Sequence, residues 1–357
     1  MIKKQHYVPK VYLKAWVTKV ESSKNSQKHF DGVYYFENKN TVGEGRKIEN
    51  ILWSPHLYTV KFNSNKVKLF KKYPKIYNFF VNKIYTLMKG NEPIPVYGEW
   101  KGNELKTKDS IYKYLDNINN WDFYYYNGNE AKKKAFLNKF NDIYCYLLEN
   151  EFSKRFENIW ENVYQSFISE VEKNLYLNSS AKVSQEIIEN MVSFFLMMLC
   201  RNLKFDGLGS YSWIADNLEQ IKFSDDSIEE IKTDFWFQDL YRIFYGTNKG
   251  IYNKAFVNIV RDGKLVLVKA NSKRKFITSD NPAFIHMSKV EMENKNGFYF
   301  PISPNYLLLI VKGGNNSLNI VEYRTADSDM VRKYNQIIAS HGSKIIVSTE
   351  KERGKIL

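Results

Sequence analysis

Ten consecutive residues, 191–200, hold a single polar side chain, Ser193, and end directly on Arg201. A helix that is apolar on nearly every side must be covered by protein or by lipid. Crossing a bilayer takes about 20 apolar residues, so this run is too short and its cover has to be protein. The segment predicts a helix over 184–203, opened by a capping-box-like Ser184 with Ile187 and Ile188 behind it. Arg201 leaves that helix with a charge that is costly to bury without a partner. A carboxylate such as Asp280, or a ligand phosphate, would answer it through paired bonds. A purely structural ion pair would do so equally well.

The rest of the chain must supply the cover. Apolar residues recur at helical spacing over 136–171, including Phe140, Phe156, Trp160 and Phe167, which predicts one long helix with room for a break near Asn150. A further helix is expected over 227–244, carrying the core-type aromatics Phe235, Trp236 and Phe237. Near the amino terminus, Val8 precedes Pro9 and is pushed to extended geometry; a short helix then runs to Trp16, and residues 33–36 read as a strand. After Gly250 the pattern changes. Residues 255–259 and 265–268 read as strands joined by Asp262-Gly263, a hairpin signal. Strand-like runs follow at 276–278, 297–302, 306–311 and 318–321, then a helix over 326–340 and a last strand at 344–347. The order is that of an α+β fold: an N-terminal strand and helical bundle packed with a C-terminal, mostly antiparallel sheet. One large domain over 1–357 is expected, with a helical part at about 131–248 and a sheet-rich part at about 249–357. Prolines and glycines punctuate 61–130, which reads as an irregular insertion.

The formal charge of +14 suits an anionic partner such as nucleic acid, nucleotide or an acidic membrane surface. The lysines are dispersed, however, and also fit an ordinary solvated surface. Cys145 and Cys200 are the two cysteines; both fall in apolar patterns, with neither disulfide nor zinc spacing. Met1 to His6 lacks the apolar core of a secretory signal. A cytoplasmic protein without a membrane segment is expected.

Two polar groups stand out. His6, in Gln5-His6-Tyr7-Val8-Pro9, can act as acid or base, bind a metal or a phosphate, or simply cap a loop. Ser279-Asp280-Asn281-Pro282 ends a predicted strand. Asp280 suits a general base or a partner for an imidazole, Asn281 a substrate oxygen and Ser279 a phosphate, while all four residues are also ordinary turn formers. Glu49, and Glu149 with Glu151, could join Asp280 around a divalent ion, although their spacing does not demand it. Walker, dinucleotide-binding, HExxH and GxSxG signatures are missing.

Taken together, these motifs resemble a family catalogued as domain of unknown function 4238. The resemblance rests on His6-Tyr7-Val8-Pro9 with Tyr12, Leu13 and Trp16; on Ile48-Glu49; and on Arg201 after an apolar helix. It continues through Ser279-Asp280-Asn281-Pro282, Pro301-Ile302-Ser303-Pro304 before a hydrophobic strand, and Asn335 in the last helix. One departure is Asn202-Leu203, where the family pattern has Thr-Pro. The resemblance implies no reaction, but it groups His6, Arg201 and Asp280 as one candidate catalytic set. Ser279, Asn281, Tyr7 and Asn335 are then candidate substrate-binding residues, and Glu49 with Asp280 are candidate metal ligands. The set suits an anion-handling site. Two functions are expected from it. One is an enzyme acting on a phosphodiester or nucleotide, such as a nuclease of a bacterial phage-defence or toxin system. The other is a non-catalytic nucleic-acid or nucleotide binding protein.

Overall fold

The computed structural model describes residues 4–22, 25–37, 40–176, 179–202, 240, 241, 243, 244, 251–287, 297–313, 318–342 and 344–357. Two compact units divide the chain: Tyr58–Asn150, and Met1–Leu57 together with Glu151–Leu357. The fold is mixed α+β, as the order of patterns led one to expect.

A seven-stranded sheet organises the larger unit. Its order is Leu175–Tyr176, Ser180–Lys182, Ile320–Ala326, Gly263–Ala270, Tyr306–Lys312, Gly297–Ser303 and Phe284–His286. Neighbours run antiparallel except Gly263–Ala270 beside Ile320–Ala326. Tyr299, Leu307, Leu309, Val266 and Val268 turn to one face and share a cluster with Tyr34, Phe36, Val331, Ile338 and Ile346. On the other face Phe195 meets Phe298 and Phe300, with ring centres 5.3 and 5.9 Å apart. Both faces are covered, which is why Leu307-Leu308-Leu309-Ile310 is unbroken rather than alternating.

The apolar run supplies that second cover. It lies in the helix Gln185–Cys200, which packs on the helices Asn158–Lys173 and Ile251–Asp262. Trp160 stacks on Phe194 with ring centres 3.8 Å apart. Among the described residues, no helix is long and apolar enough to cross a membrane.

A second, antiparallel sheet joins the chain's two ends. It places Thr278–Ser279, Ile345–Ser348, Asn25–Glu37 and Thr18–Ser22 in that order, with Glu44–Arg46 also paired to Asn25–Glu37. The amino-terminal motif locks onto the same region. After Pro9, the helix Lys10–Leu13 and the turn Lys14–Trp16 direct two side chains at the strand before Ser279. The Tyr12 hydroxyl lies 2.7 Å from Thr278 Oγ1 and donates to the Pro301 carbonyl at 2.5 Å, and Trp16 Nε1 donates to the Phe276 carbonyl at 3.1 Å. Tyr12→Phe keeps the ring but leaves these buried groups short of a partner. A loss of about 1–3 kcal/mol is expected, read from the midpoint of urea unfolding; an unchanged midpoint would contradict this anchoring role.

Several elements differ from the sequence expectation. Residues 255–259 are not a strand but part of the helix Ile251–Asp262, in which Tyr252 and Ile259, two turns apart, are buried. Asp262-Gly263 is the helix end. A Cβ on Gly263 would lie 2.5 Å from the Ile259 carbonyl oxygen, so glycine permits the immediate switch to strand. The single long helix over 136–171 is instead Lys133–Asn141, the strand Tyr144–Cys145, Leu147–Phe152, the wide π-type turn Ser153–Glu157 and Asn158–Lys173. Pairing of Tyr144–Cys145 with Val60–Lys61 overrides the helical periodicity there. The helix expected over 227–244 lies outside the described residues except for Leu240, Tyr241, Ile243 and Phe244, which are helical and buried.

The smaller unit is regular where an irregular insertion was expected. It holds the helix Pro74–Lys89, with proline in its first turn and Gly90 after its last. A capped helix, Lys108–Tyr114, packs against it. A three-stranded sheet runs in the order Asn103–Leu105, Val96–Trp100, Asp122–Tyr125. Phe62, Phe80, Trp121, Phe123 and Phe140 are buried within this unit.

Candidate functional site

Two consecutive residues at the end of the apolar helix tie the amino-terminal motif to the Ser279–Pro282 turn. Arg201 is 1% exposed. Its guanidinium donates to the backbone carbonyl of His6 and, at 2.6 Å, to Glu157 Oε1, and it lies over the Phe152 ring at 4.7 Å. Asn202 Nδ2 donates to the Asp280 carbonyl at 2.9 Å. His6, Arg201 and Asp280 are therefore brought to one region, through backbone atoms. Of the partners left open for Arg201 by the sequence, the structure supplies the ion pair within the chain, with Glu157 rather than Asp280 as the carboxylate. Glu157 lies on the π-type turn Ser153–Glu157.

His6 ends the strand Lys4–His6 and sits opposite Trp53 of Trp53–Pro55. Its Nε2 is buried without a hydrogen-bond partner among the described residues. Burial, followed by the charge of Lys10, holds its pKa at about 4 instead of the ordinary 6.5; a hydrogen bond to the Ile48 backbone acts the other way. The neighbouring segment is strained, since Leu52 and His56 adopt φ of 53° and 52°, which is unfavourable for residues other than glycine. The depressed pKa has a definite sign. Between pH 6.5 and about 4 the unfolded chain takes up the proton that the folded one refuses. Stability is thus fully present above pH 6.5 and declines as pH falls through this window. After discounting for solvent at the partly exposed ring, the loss should be about 1–2 kcal/mol. Unfolding curves at several pH values should show this limb in the wild type and not in His6→Gln; an identical limb in both would exclude His6 as its source.

The turn is held by its own atoms and by the chain end. Ser279 Oγ accepts from Asn281 N and donates to the Asn281 carbonyl, both at 3.1 Å. Asp280 Oδ2 accepts from Lys344 N at 2.9 Å, and Asp280 N donates to the Ile345 carbonyl at 3.2 Å. Gly342 allows this close approach: a Cβ there would lie 3.1 Å from Ser279 Cβ and 3.4 Å from Asp280 Oδ1.

Beside the turn opens a cavity of about 310 Å³ lined by Leu199, Asn281, Ala283, Phe284, Ile285, Ser340 and His341. Asn281 Nδ2 donates to the His341 carbonyl at 3.0 Å. His341, ending the helix Ser328–His341, has its Nε2 3.0 Å from Nδ1 of His286, which ends the edge strand Phe284–His286. At that distance one imidazole donates an N–H and the other accepts. Aromatic walls fix the rings: Phe284 stacks on His341 at 4.3 Å and Tyr299 meets His286 edge-on at 5.3 Å. Sequence reasoning missed both histidines. Their only signal was rarity, two of five in the chain.

Other candidates take different places. Asn335, expected to touch substrate, is wholly buried. Its Oδ1 accepts from Ile277 N at 3.1 Å, and its Nδ2 donates to the Lys275 and Ile356 carbonyls, each at 2.9 Å. It fastens the strand approach and the short helix Arg353–Ile356 to Ser328–His341. Tyr7 is half-buried, and its backbone N–H bonds the Leu52 carbonyl at 3.0 Å. Glu49 is exposed on the turn Ile48–Asn50. Among the described residues no three of His, Cys, Asp and Glu gather as metal ligands. Burial pushes the thiols of Cys145 and Cys200 up to about 11 and about 12, which keeps them protonated and poorly nucleophilic.

No curated protein and no solved structure matches this chain. A family model described as "Protein of unknown function (DUF4238)" matches residues 4–352. With nearly its whole length matched, the chain belongs to that family, as its His-Tyr-Val-Pro and Ser-Asp-Asn-Pro motifs led one to expect.

Proposed function

We propose that the chain binds a phosphate-bearing ligand of the nucleotide class in the cavity beside Asn281 and acts on its phosphodiester, with His286 and His341 moving the proton. The observation that carries this reading is the pair of imidazole nitrogens 3.0 Å apart, one of them on His341, which lines that cavity. A pair sharing one added proton carries a single positive charge, which favours an anion. It can also accept a proton from attacking water while a P–O bond forms, and return one to the leaving oxygen as the second P–O bond breaks. The chain's +14 charge would draw such a ligand in. A nuclease is the form of this enzyme that uses a polymeric substrate.

A second reading, binding without turnover, is favoured by one observation: Arg201 and Asp280 already bond groups of the chain itself. Bis(p-nitrophenyl) phosphate hydrolysis and calorimetric titration with adenosine monophosphate separate the two. His341→Ala and His286→Ala should each lower hydrolysis by about 10²- to 10⁴-fold with thermal stability little changed. Nucleotide binding without any hydrolysis would select the second reading. Neither binding nor hydrolysis would overturn both.

A further inference from the structure

The smaller unit, Tyr58–Asn150, concentrates charge. It contains sixteen lysines, no arginine and nine carboxylates, a surplus of seven, half the whole chain's +14 in 93 of its 357 residues. Within it Lys68, Lys71, Lys72 and Lys75 are exposed, at spacings of three, one and three residues. They run from the short helix Val67–Phe70 into the first turn of Pro74–Lys89, whose amino-terminal end adds positive potential.

An aromatic ring stands beside these lysines. Lys71 Nζ bonds Asp116 Oδ2 at 2.8 Å, and Asp116 Oδ1 accepts from the Tyr77 hydroxyl at 2.8 Å. Tyr77 in turn packs edge-on against Tyr112 at 4.9 Å. Tyr112 is 40% exposed and is steadied from behind by that packing. Against partial burial, which acts the other way, the hydrogen bonds from Lys71 and Tyr77, with the charges of Lys71 and Lys68, hold the Asp116 carboxyl below the ordinary carboxylate range.

We infer that Lys68, Lys71, Lys72 and Lys75 with Tyr112 form a binding surface for single-stranded nucleic acid. Lysines strung along a surface follow a phosphate backbone, and an exposed, supported ring offers a face for an unpaired base. Duplex bases are already stacked and have no use for the ring. This inference shares with the proposed function the expectation of a phosphate-bearing partner but uses none of its residues, so either can fail alone.

The test uses the full chain and a fluorescein-labelled oligothymidylate of roughly 20 nucleotides, followed by fluorescence anisotropy from about 50 to 200 mM salt. Changing the four lysines together to Gln should weaken binding about 30-fold or more and flatten the log–log salt slope by about 3, as expected for four lost single-strand phosphate contacts. Tyr112→Leu, which keeps an apolar contact with Tyr77, should weaken strand binding about 10-fold and leave duplex binding unchanged. Both variants should keep the wild-type melting temperature and the wild-type affinity for adenosine monophosphate. Absence of strand binding by the wild type overturns the inference, as does a salt slope unmoved by the lysine changes. Equal loss of strand and duplex on Tyr112→Leu, or tighter binding to phosphatidylserine vesicles than to the strand, overturns it as well.

Discussion

Arg201→Ala should destabilise the protein by about 3–5 kcal/mol, the range for removing one partner of a buried ion pair. The change strands the Glu157 carboxylate, takes the donor from the His6 carbonyl and empties the space under the Phe152 ring. Arg201→Lys should recover only part of the loss, because one ammonium does not reproduce the two-armed geometry that reaches both acceptors. A double-mutant cycle with Glu157→Gln isolates the pair: the two changes together should cost clearly less than their sum. Urea unfolding monitored by tryptophan fluorescence reads all of these. Were Arg201 instead a phosphate-binding residue, its removal would leave the unfolding midpoint near wild type and act on ligand affinity alone.

Asn335→Leu is the second large expected effect. The substitution keeps the branched shape and the number of side-chain heavy atoms but removes one acceptor and two donors, leaving Ile277 N–H and the carbonyls of Lys275 and Ile356 without their side-chain partner. Each unsatisfied buried group costs about 1–3 kcal/mol, so a total of about 3 kcal/mol or more is expected after local relaxation. Asn335→Asp should do no better, since it keeps the acceptor, loses both donors and buries a charge. Amide exchange gives a site-specific reading: Ile277 N–H should lose protection more than amides of the strand Val96–Trp100 in the smaller unit. Uniform loss, or none, would contradict a local fastening role.

Both predictions concern residues whose chemistry suggested a ligand site and whose surroundings give them another task. The sequence carried the fold class because period and punctuation are local signals: the covered strand Tyr306–Lys312 and the buried helix Gln185–Cys200 announce themselves by composition alone. It failed where a distant partner decides. Tyr144–Cys145 is a strand because Val60–Lys61 lies beside it, and residues 255–259 are helical despite their β-rich composition. The grouping of His6, Arg201 and Asp280 was legible only through the family resemblance. The atoms making the contacts were not, because backbone carbonyls leave no trace in residue identity. Asn202 shows this most clearly, since its side chain grips Asp280 by the backbone carbonyl. His286 and His341 meet only when an edge strand and a helix end, 55 residues apart, are laid side by side.

Under the proposed function, His6, Arg201 and Asp280 hold the framework, while His341 faces the ligand with His286 bonded behind it. Nitrogen NMR of protein labelled at its five histidines tests this directly during titration with adenosine monophosphate. The ring nitrogens of His286 and His341 should move with saturating dependence while those of His6 stay in place. A titrating His6 with an unresponsive His286–His341 pair would contradict the account.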